Sequence, residues 1–152
     1  MNQPLRIVAA DDDPDSLQAL AAALRALGHQ VDAEARTGRQ LIERCRVLGP
    51  DLIVTDIDMP QLDGIAAVQE VCRERPTPVV VVSAYYDREL QVHARHECVM
   101  AYLVKPVGPE DLGPAVSLAW WRFGRFQSAR RETSGLPRAP EERQAIEGPK
   151  AS

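Results

Sequence analysis

Residues 7–16 read IVAADDDPDS, an apolar run followed by three aspartates side by side and a proline. Adjacent carboxylates repel, so three in a row call for a physical reason. The apolar run Leu5 to Ala10 predicts a short strand. Asp13 stands where a helix N-cap belongs, and Pro14 suits the first helical turn. Leu17, Leu20, Leu24 and Leu27 then fall on one helical face until Gly28 stops the pattern. The aspartates therefore mark the point where a buried strand hands over to a helix.

Working outward, strand-like and helix-like segments alternate along the chain. Gln30 to Arg36 alternates in polarity and reads as a strand near a sheet edge. GRQLIERCRVLG (Gly38 to Gly49) reads as a helix, and DLIVTD (Asp51 to Asp56) as a buried strand. Gly64 to Glu74 reads as a helix that Pro76 and Pro78 end. VVVVS (Val79 to Ser83) and MAYLV (Met100 to Val104) read as further buried strands, with a helix expected over Asp87 to His96 between them. Pro109 opens a last helix, expected to run to about Gln127. Five strands and five helices in strict alternation, with near-continuous apolar strands, predict an α/β fold whose parallel sheet is covered on both faces. Residues 128–152 carry Pro137, Pro140 and Pro149 among many charges and read as a disordered tail after a domain spanning 4–127.

Composition narrows the function classes. A chain of 152 residues with 45% hydrophobic content supports one domain with a core. A net charge of -4 argues against a main role in holding nucleic acid. The N-terminus lacks the apolar segment of a signal peptide, and runs such as PVVVVSA are too short to span a bilayer. Cys45, Cys72 and Cys98 are odd in number and show no CxxC spacing, which points to reduced thiols and a cytoplasmic location.

In an open parallel sheet, ligands bind outside the carboxyl ends of the strands. Asp11 and Asp12 end the first expected strand, Asp56 the third, Ser83 the fourth and Lys105 the fifth. Crowded carboxylates need a compensating cation, and two Asp side chains with a backbone carbonyl and waters suit Mg²⁺ better than Ca²⁺. A carboxylate such as Asp56 can attack phosphorus to form an aspartyl phosphate. Lys105 then supplies a compact cation and Ser83 a hydroxyl donor to phosphoryl oxygens. Nothing in the chain reads GxxxxGK[ST], so no phosphate-binding nucleotide loop is expected.

The ordered set IVAADDDP, DLIVTDIDMPQLDG, VVVVSA and AYLVKP resembles the receiver domain of two-component response regulators, over about residues 4–127. The resemblance implies a flavodoxin-like doubly wound sheet with strand order 2-1-3-4-5. It implies Asp56 as phosphoacceptor, Asp12 as direct Mg²⁺ ligand, Asp11 as a ligand through water, and the backbone carbonyl of Asp58 completing the metal site. It also implies Ser83 and Tyr102 as a switch pair, and Lys105 as the phosphate contact with a cis bond to Pro106. Asp13 is left as the helix cap. Such a domain is a signalling switch rather than an enzyme. Its implied partner is a sensor histidine kinase or phosphotransfer protein, and the face that changes is built from the fourth helix, fifth strand and fifth helix. Tyr85, two residues after Ser83, is expected to shield the acyl phosphate from water. PVVVVSAYYDREL and MAYLVKPVGPEDLGPAVSLAWWRF bring the C-terminal third closest to receivers of the ANTAR antiterminator class. The roughly 25 residues that follow are too few for the RNA-binding ANTAR domain, so a stand-alone receiver is expected.

TDIDMP resembles the DxDx[TV] loop of haloacid-dehalogenase phosphatases, but Pro60 occupies the fifth position. His93, His96 and Cys98 have some metal-like spacing, yet a solvated helix face accounts for them. In the last helix, Leu112, Val116, Ala119, Phe123 and Phe126 form a stripe, flanked by Trp120, Trp121, Arg122 and Arg125, with Arg130 and Arg131 following. Its first part should pack on the sheet. Its second part reads as a homodimer or partner surface, since exposed aromatics need cover. An RNA-linked antitermination-type regulator and a phosphorylation-independent docking module stand as alternatives.

Overall fold

The computed structural model describes residues 4–84 and 97–134. Five strands, β1 (Arg6–Ala10), β2 (Gln30–Ala35), β3 (Leu52–Asp56), β4 (Val79–Ser83) and β5 (Val99–Val104), form one parallel sheet in the order β2-β1-β3-β4-β5. Four described helices join them: α1 (Pro14–Ala26), α2 (Gly38–Leu48), α3 (Gly64–Glu74) and α4 (Pro109–Ser134). The helix expected over Asp87 to His96 lies outside the described residues, as do Tyr85, His93 and His96.

Local chemistry starts and stops the helices where the sequence suggests. Asp13 caps α1 by accepting from the Ser16 N–H at 3.2 Å, with Pro14 at the first turn. Thr37 and Asp63 do the same for α2 and α3, accepting from the Gln40 and Ala66 N–H groups at 3.0 and 2.8 Å. Gly49 ends α2 in the left-handed region at φ 53°, where a side chain is disfavoured.

Strand alternation then sorts the core into two faces. Ile7, Ala9, Leu52, Val54, Val80 and Val82 pack with Leu17, Leu20 and Leu24 of α1 and Leu112, Val116 and Ala119 of α4. The intervening residues, Val8, Ile53, Thr55, Val79 and Val81, are also fully buried and face the opposite way. β3 and β4 are buried along their whole length, as near-continuous apolar runs predict for central strands. β5 departs from that expectation. Every residue of it is half-buried, because it closes the sheet as an edge strand. The other edge, β2, is the mixed-polarity strand anticipated.

Two further differences concern the C-terminal part. α4 continues to Ser134 rather than ending near Gln127. Ala129, Arg130, Arg131 and Glu132 sustain a helix, and no glycine or proline interrupts them before Gly135. The chain also divides into compact units after Trp120. The described part of the second unit is the C-terminal half of α4, where the Arg125 guanidinium lies 5.3 Å from the Trp121 ring centre and the Phe123 and Phe126 rings stand 6.1 Å apart. The three cysteines are buried and outside any disulfide, and burial pushes the Cys45 thiol up to about 12. No described helix is long and apolar enough to cross a membrane.

His29 ties the start of β1 to the turn after α1. Its buried Nδ1 accepts the Leu5 N–H at 3.1 Å, which requires that nitrogen to be unprotonated, and burial lowers its pKa below the usual 6.5. The folded state therefore binds this proton less readily than the unfolded chain. The stabilisation is complete above about pH 6.5 and is lost as pH falls below it. Urea unfolding of wild type should weaken between pH 7.5 and 5.5 more than that of His29→Asn, which keeps an acceptor but cannot titrate. Parallel pH profiles for the two proteins would contradict this.

Candidate functional site

The parallel register brings the carboxyl ends of β1, β3, β4 and β5 to one edge. Asp11 follows β1, Asp56 ends β3, Ser83 ends β4 and Lys105 follows β5. Asp11, Asp12 and Asp56 each place a carboxylate oxygen within 4.8 Å of the others, the one such group of metal-ligating side chains among the described residues. Asp11 and Asp56 are buried, while Asp12 is exposed. The triple aspartate thus divides by geometry: the first two residues join the cluster and the third caps α1.

Lys105 enters the same cluster. Its Nζ lies 2.7 Å from Asp11 Oδ2 and 3.5 Å from Asp56 Oδ2. Burial alone would lower its pKa, but the hydrogen bond to Asp11 and the charges of Asp56 and Asp11 hold it above the ordinary lysine value. Asp56 responds in the opposite sense. Burial and the neighbouring Asp11 push its carboxyl up to about 6, against the opposing pull of Lys105 and the Ile57 N–H, which donates to Oδ1 at 2.8 Å. A buried carboxylate with one oxygen held by a backbone N–H, and the other near an ammonium, is positioned rather than free to rotate.

The surrounding backbone fixes this carboxylate. Gly64, at the start of α3, comes so close to β3 that a Cβ there would stand 2.0 Å from the Asp56 carbonyl oxygen. Its N–H donates to the Ile57 carbonyl at 2.7 Å. The Thr55 hydroxyl donates to the Asp56 carbonyl at 2.9 Å. On the other side of the loop, a Cβ on Gly38 would stand 2.1 Å from the Leu62 carbonyl oxygen. Both glycines are therefore close-approach positions that clamp the segment from Ile57 to Asp63 between α2 and α3.

The other anticipated residues fall as follows. Ser83 is fully buried, pairs in register with Val104, and its carbonyl accepts the Lys105 N–H at 2.7 Å. Tyr102 lies half-buried on β5 opposite Val81. The Lys105–Pro106 peptide is cis. Asp58 is exposed, and its carboxylate stands outside the three-carboxylate group. Arg36 was not anticipated. It follows β2, and its guanidinium donates to the Asp12 carbonyl at 3.4 Å. Only its position at the end of the second strand could have pointed to it.

Two predictions follow from these contacts. In metal-free buffer, an ionised Asp56 costs the folded state stability above pH 6. Asp56→Asn should therefore stabilise the protein at pH 8 by on the order of 2 kcal/mol, the gain shrinking as pH falls through about 6. Thermal unfolding in EDTA across that range measures it, and a destabilised Asn variant at pH 8 would contradict it. Gly64→Ala should cost about 1–3 kcal/mol through overpacking against the Asp56 carbonyl, measurable by urea unfolding.

Comparisons with known proteins agree with this geometry. The family model described as response regulator receiver domain matches residues 7–117. The chain is 37% identical over 144 residues to the transcriptional regulatory protein PdtaR of Mycobacterium tuberculosis, covering 95% of this chain and 70% of that protein. It is 41% identical over 113 residues to a Myxococcus xanthus protein-glutamate methylesterase/protein-glutamine glutaminase, covering 72% of this chain but 32% of that one. Among solved structures, it superposes on the signal receiver domain of the response regulator NarL from Mycobacterium tuberculosis with a TM-score of 0.70 at 27% identity, covering 76% of this chain and 94% of that one. A receiver domain from Clostridium thermocellum gives a TM-score of 0.71 at 26% identity, covering 80% and 98%. The fold, the ordered motifs and the matched span together place this chain in the response regulator receiver family.

Proposed function

We propose that the protein is a phosphorylation-controlled switch in which Asp56 accepts a phosphoryl group from a sensor histidine kinase or phosphotransfer protein. The observation that carries this reading is the meeting of Asp56 with Asp11, Asp12 and Lys105 at one sheet edge. The donor set is all carboxylate oxygen, which fits a hard divalent cation such as Mg²⁺. Asp11, Asp12 and Asp56 would hold the ion, with the Asp58 carbonyl as a further oxygen. When bound, it would offset the charge of an incoming phosphoryl group and of the carboxylates around it.

In this reading an Asp56 carboxylate oxygen forms the new bond to phosphorus while the bond to the donor's nitrogen breaks. The Lys105 ammonium turns from its carboxylate partners toward a phosphoryl oxygen, and the Ser83 hydroxyl donates to another. These contacts exist only in the phosphorylated state, so they shift the population toward it. Ser83 and Tyr102, on neighbouring strands, would carry the change to the surface formed by β5, the segment before it and α4. Residues 4–127 would form the switch itself, in the cytoplasm, and the second half of α4 a homodimer or partner surface. An exposed Trp121 with Arg125 stacked on it favours a second reading, contact with RNA through that helix end. Filter binding with structured RNA separates the two.

The primary test is intact mass after incubation with Mg²⁺ and acetyl phosphate. Wild type should gain one phosphoryl group, Asp56→Asn none, and Lys105→Ala should gain it at least tenfold more slowly. Equal labelling of wild type and Asp56→Asn would overturn the assignment.

A further inference from the structure

The phosphoryl chemistry leaves one neighbouring feature unused. A cleft of about 360 Å³ opens beside Lys105, lined by that residue and Asp11 and walled by Ala19 and Leu20 of α1, Val82 of β4 and Pro106 after β5. Its surface is mostly apolar, although it shares two charged side chains with the carboxylate cluster. A phosphoryl group alone needs hydrogen-bond donors and charge, not aliphatic walls. The cleft is also of the size that holds small organic ligands.

In an in-line displacement the leaving group stands on the side of phosphorus opposite the attacking Asp56 oxygen. A substituent on that group needs space, and the apolar cleft shares Asp11 and Lys105 with the carboxylate cluster. We propose that this cleft receives the hydrocarbon part of small acyl phosphates, so that donors with an apolar acyl group phosphorylate Asp56 in preference to smaller ones. The inference rests on Asp56 being the phosphoacceptor. In the step, an Asp56 carboxylate oxygen bonds to phosphorus as the P–O bond to the acyl group breaks, and the acyl group departs as its carboxylate with that bonding pair. No proton, oxidant or reductant is needed. The apolar walls match the hydrocarbon, and Lys105 matches the anionic end.

The test compares three donors, benzoyl phosphate, acetyl phosphate and phosphoramidate, by the initial rate of phosphoryl adduct formation at Asp56 with Mg²⁺. Ala19 is exposed on α1, so Ala19→Leu narrows the cleft without disturbing the core. Circular dichroism and the unfolding midpoint confirm that the variant is folded. The benzoyl phosphate to phosphoramidate rate ratio should fall about tenfold in Ala19→Leu, the effect expected when a hydrophobic pocket loses its fit. The acetyl phosphate to phosphoramidate ratio should fall less. An unmoved benzoyl ratio overturns the proposal. That result, with slower transfer from a phosphohistidine protein to the variant, would give the cleft to a protein partner's side chain instead. No labelling of wild type by any donor would overturn the phosphoacceptor reading as well, which distinguishes the two failures.

Discussion

The arrangement depends on one ammonium held among three carboxylates. Lys105 is hydrogen-bonded to Asp11 and lies near Asp56, with Asp12 completing the group. Buried Asp11 and Asp56, with exposed Asp12 beside them, cannot all stay ionised without compensation. A single lysine against three ionised aspartates leaves two negative charges, which a divalent cation would offset. Burial first, and then the charge of Asp11, raise the Asp56 pKa against the pull of Lys105. The site by itself therefore carries excess negative charge, which a divalent cation would balance.

The fold makes such a cluster affordable. Central strands that are apolar on both faces anchor the carboxyl edge, so the polar groups project from a rigid base. Asp11 and Lys105 are 94 residues apart in sequence and meet only because β1 and β5 run parallel in one sheet. Close-approach glycines hold the loop after Asp56, and the Ile57 N–H orients its carboxylate. Positioning here comes from strand ends and helix starts, so the chemistry inherits the stiffness of the core.

Much of this was legible in the sequence because the strands are short, apolar and punctuated. The runs around Val54 and Val81 announce buried parallel strands, and Asp13 with Pro14 announces the first helix start. The order of acid, acid, hydroxyl and lysine at successive strand ends announces a shared edge. The sheet order came from the family resemblance, since periodicity gives no strand neighbours. What stayed illegible depends on the third dimension. MAYLV reads as a core strand although β5 is half-buried at the edge, because an apolar pattern does not say which strand ends a sheet. α4 runs on to Ser134, past the expected end near Gln127, because polar residues without proline or glycine look alike in a helix and in a tail. Arg36 and the apolar cleft beside Lys105 are assembled from separate elements and have no local signature.

The most direct measurement of the central claim locates the bond itself. Protein incubated with acetyl phosphate and Mg²⁺ is treated with borohydride, which reduces an aspartyl phosphate to homoserine, and fragmented by mass spectrometry. Homoserine at position 56 alone, dependent on Mg²⁺ and lost in EDTA, is the predicted result. Homoserine at position 11 or 12, or its absence from every aspartate, would contradict the account.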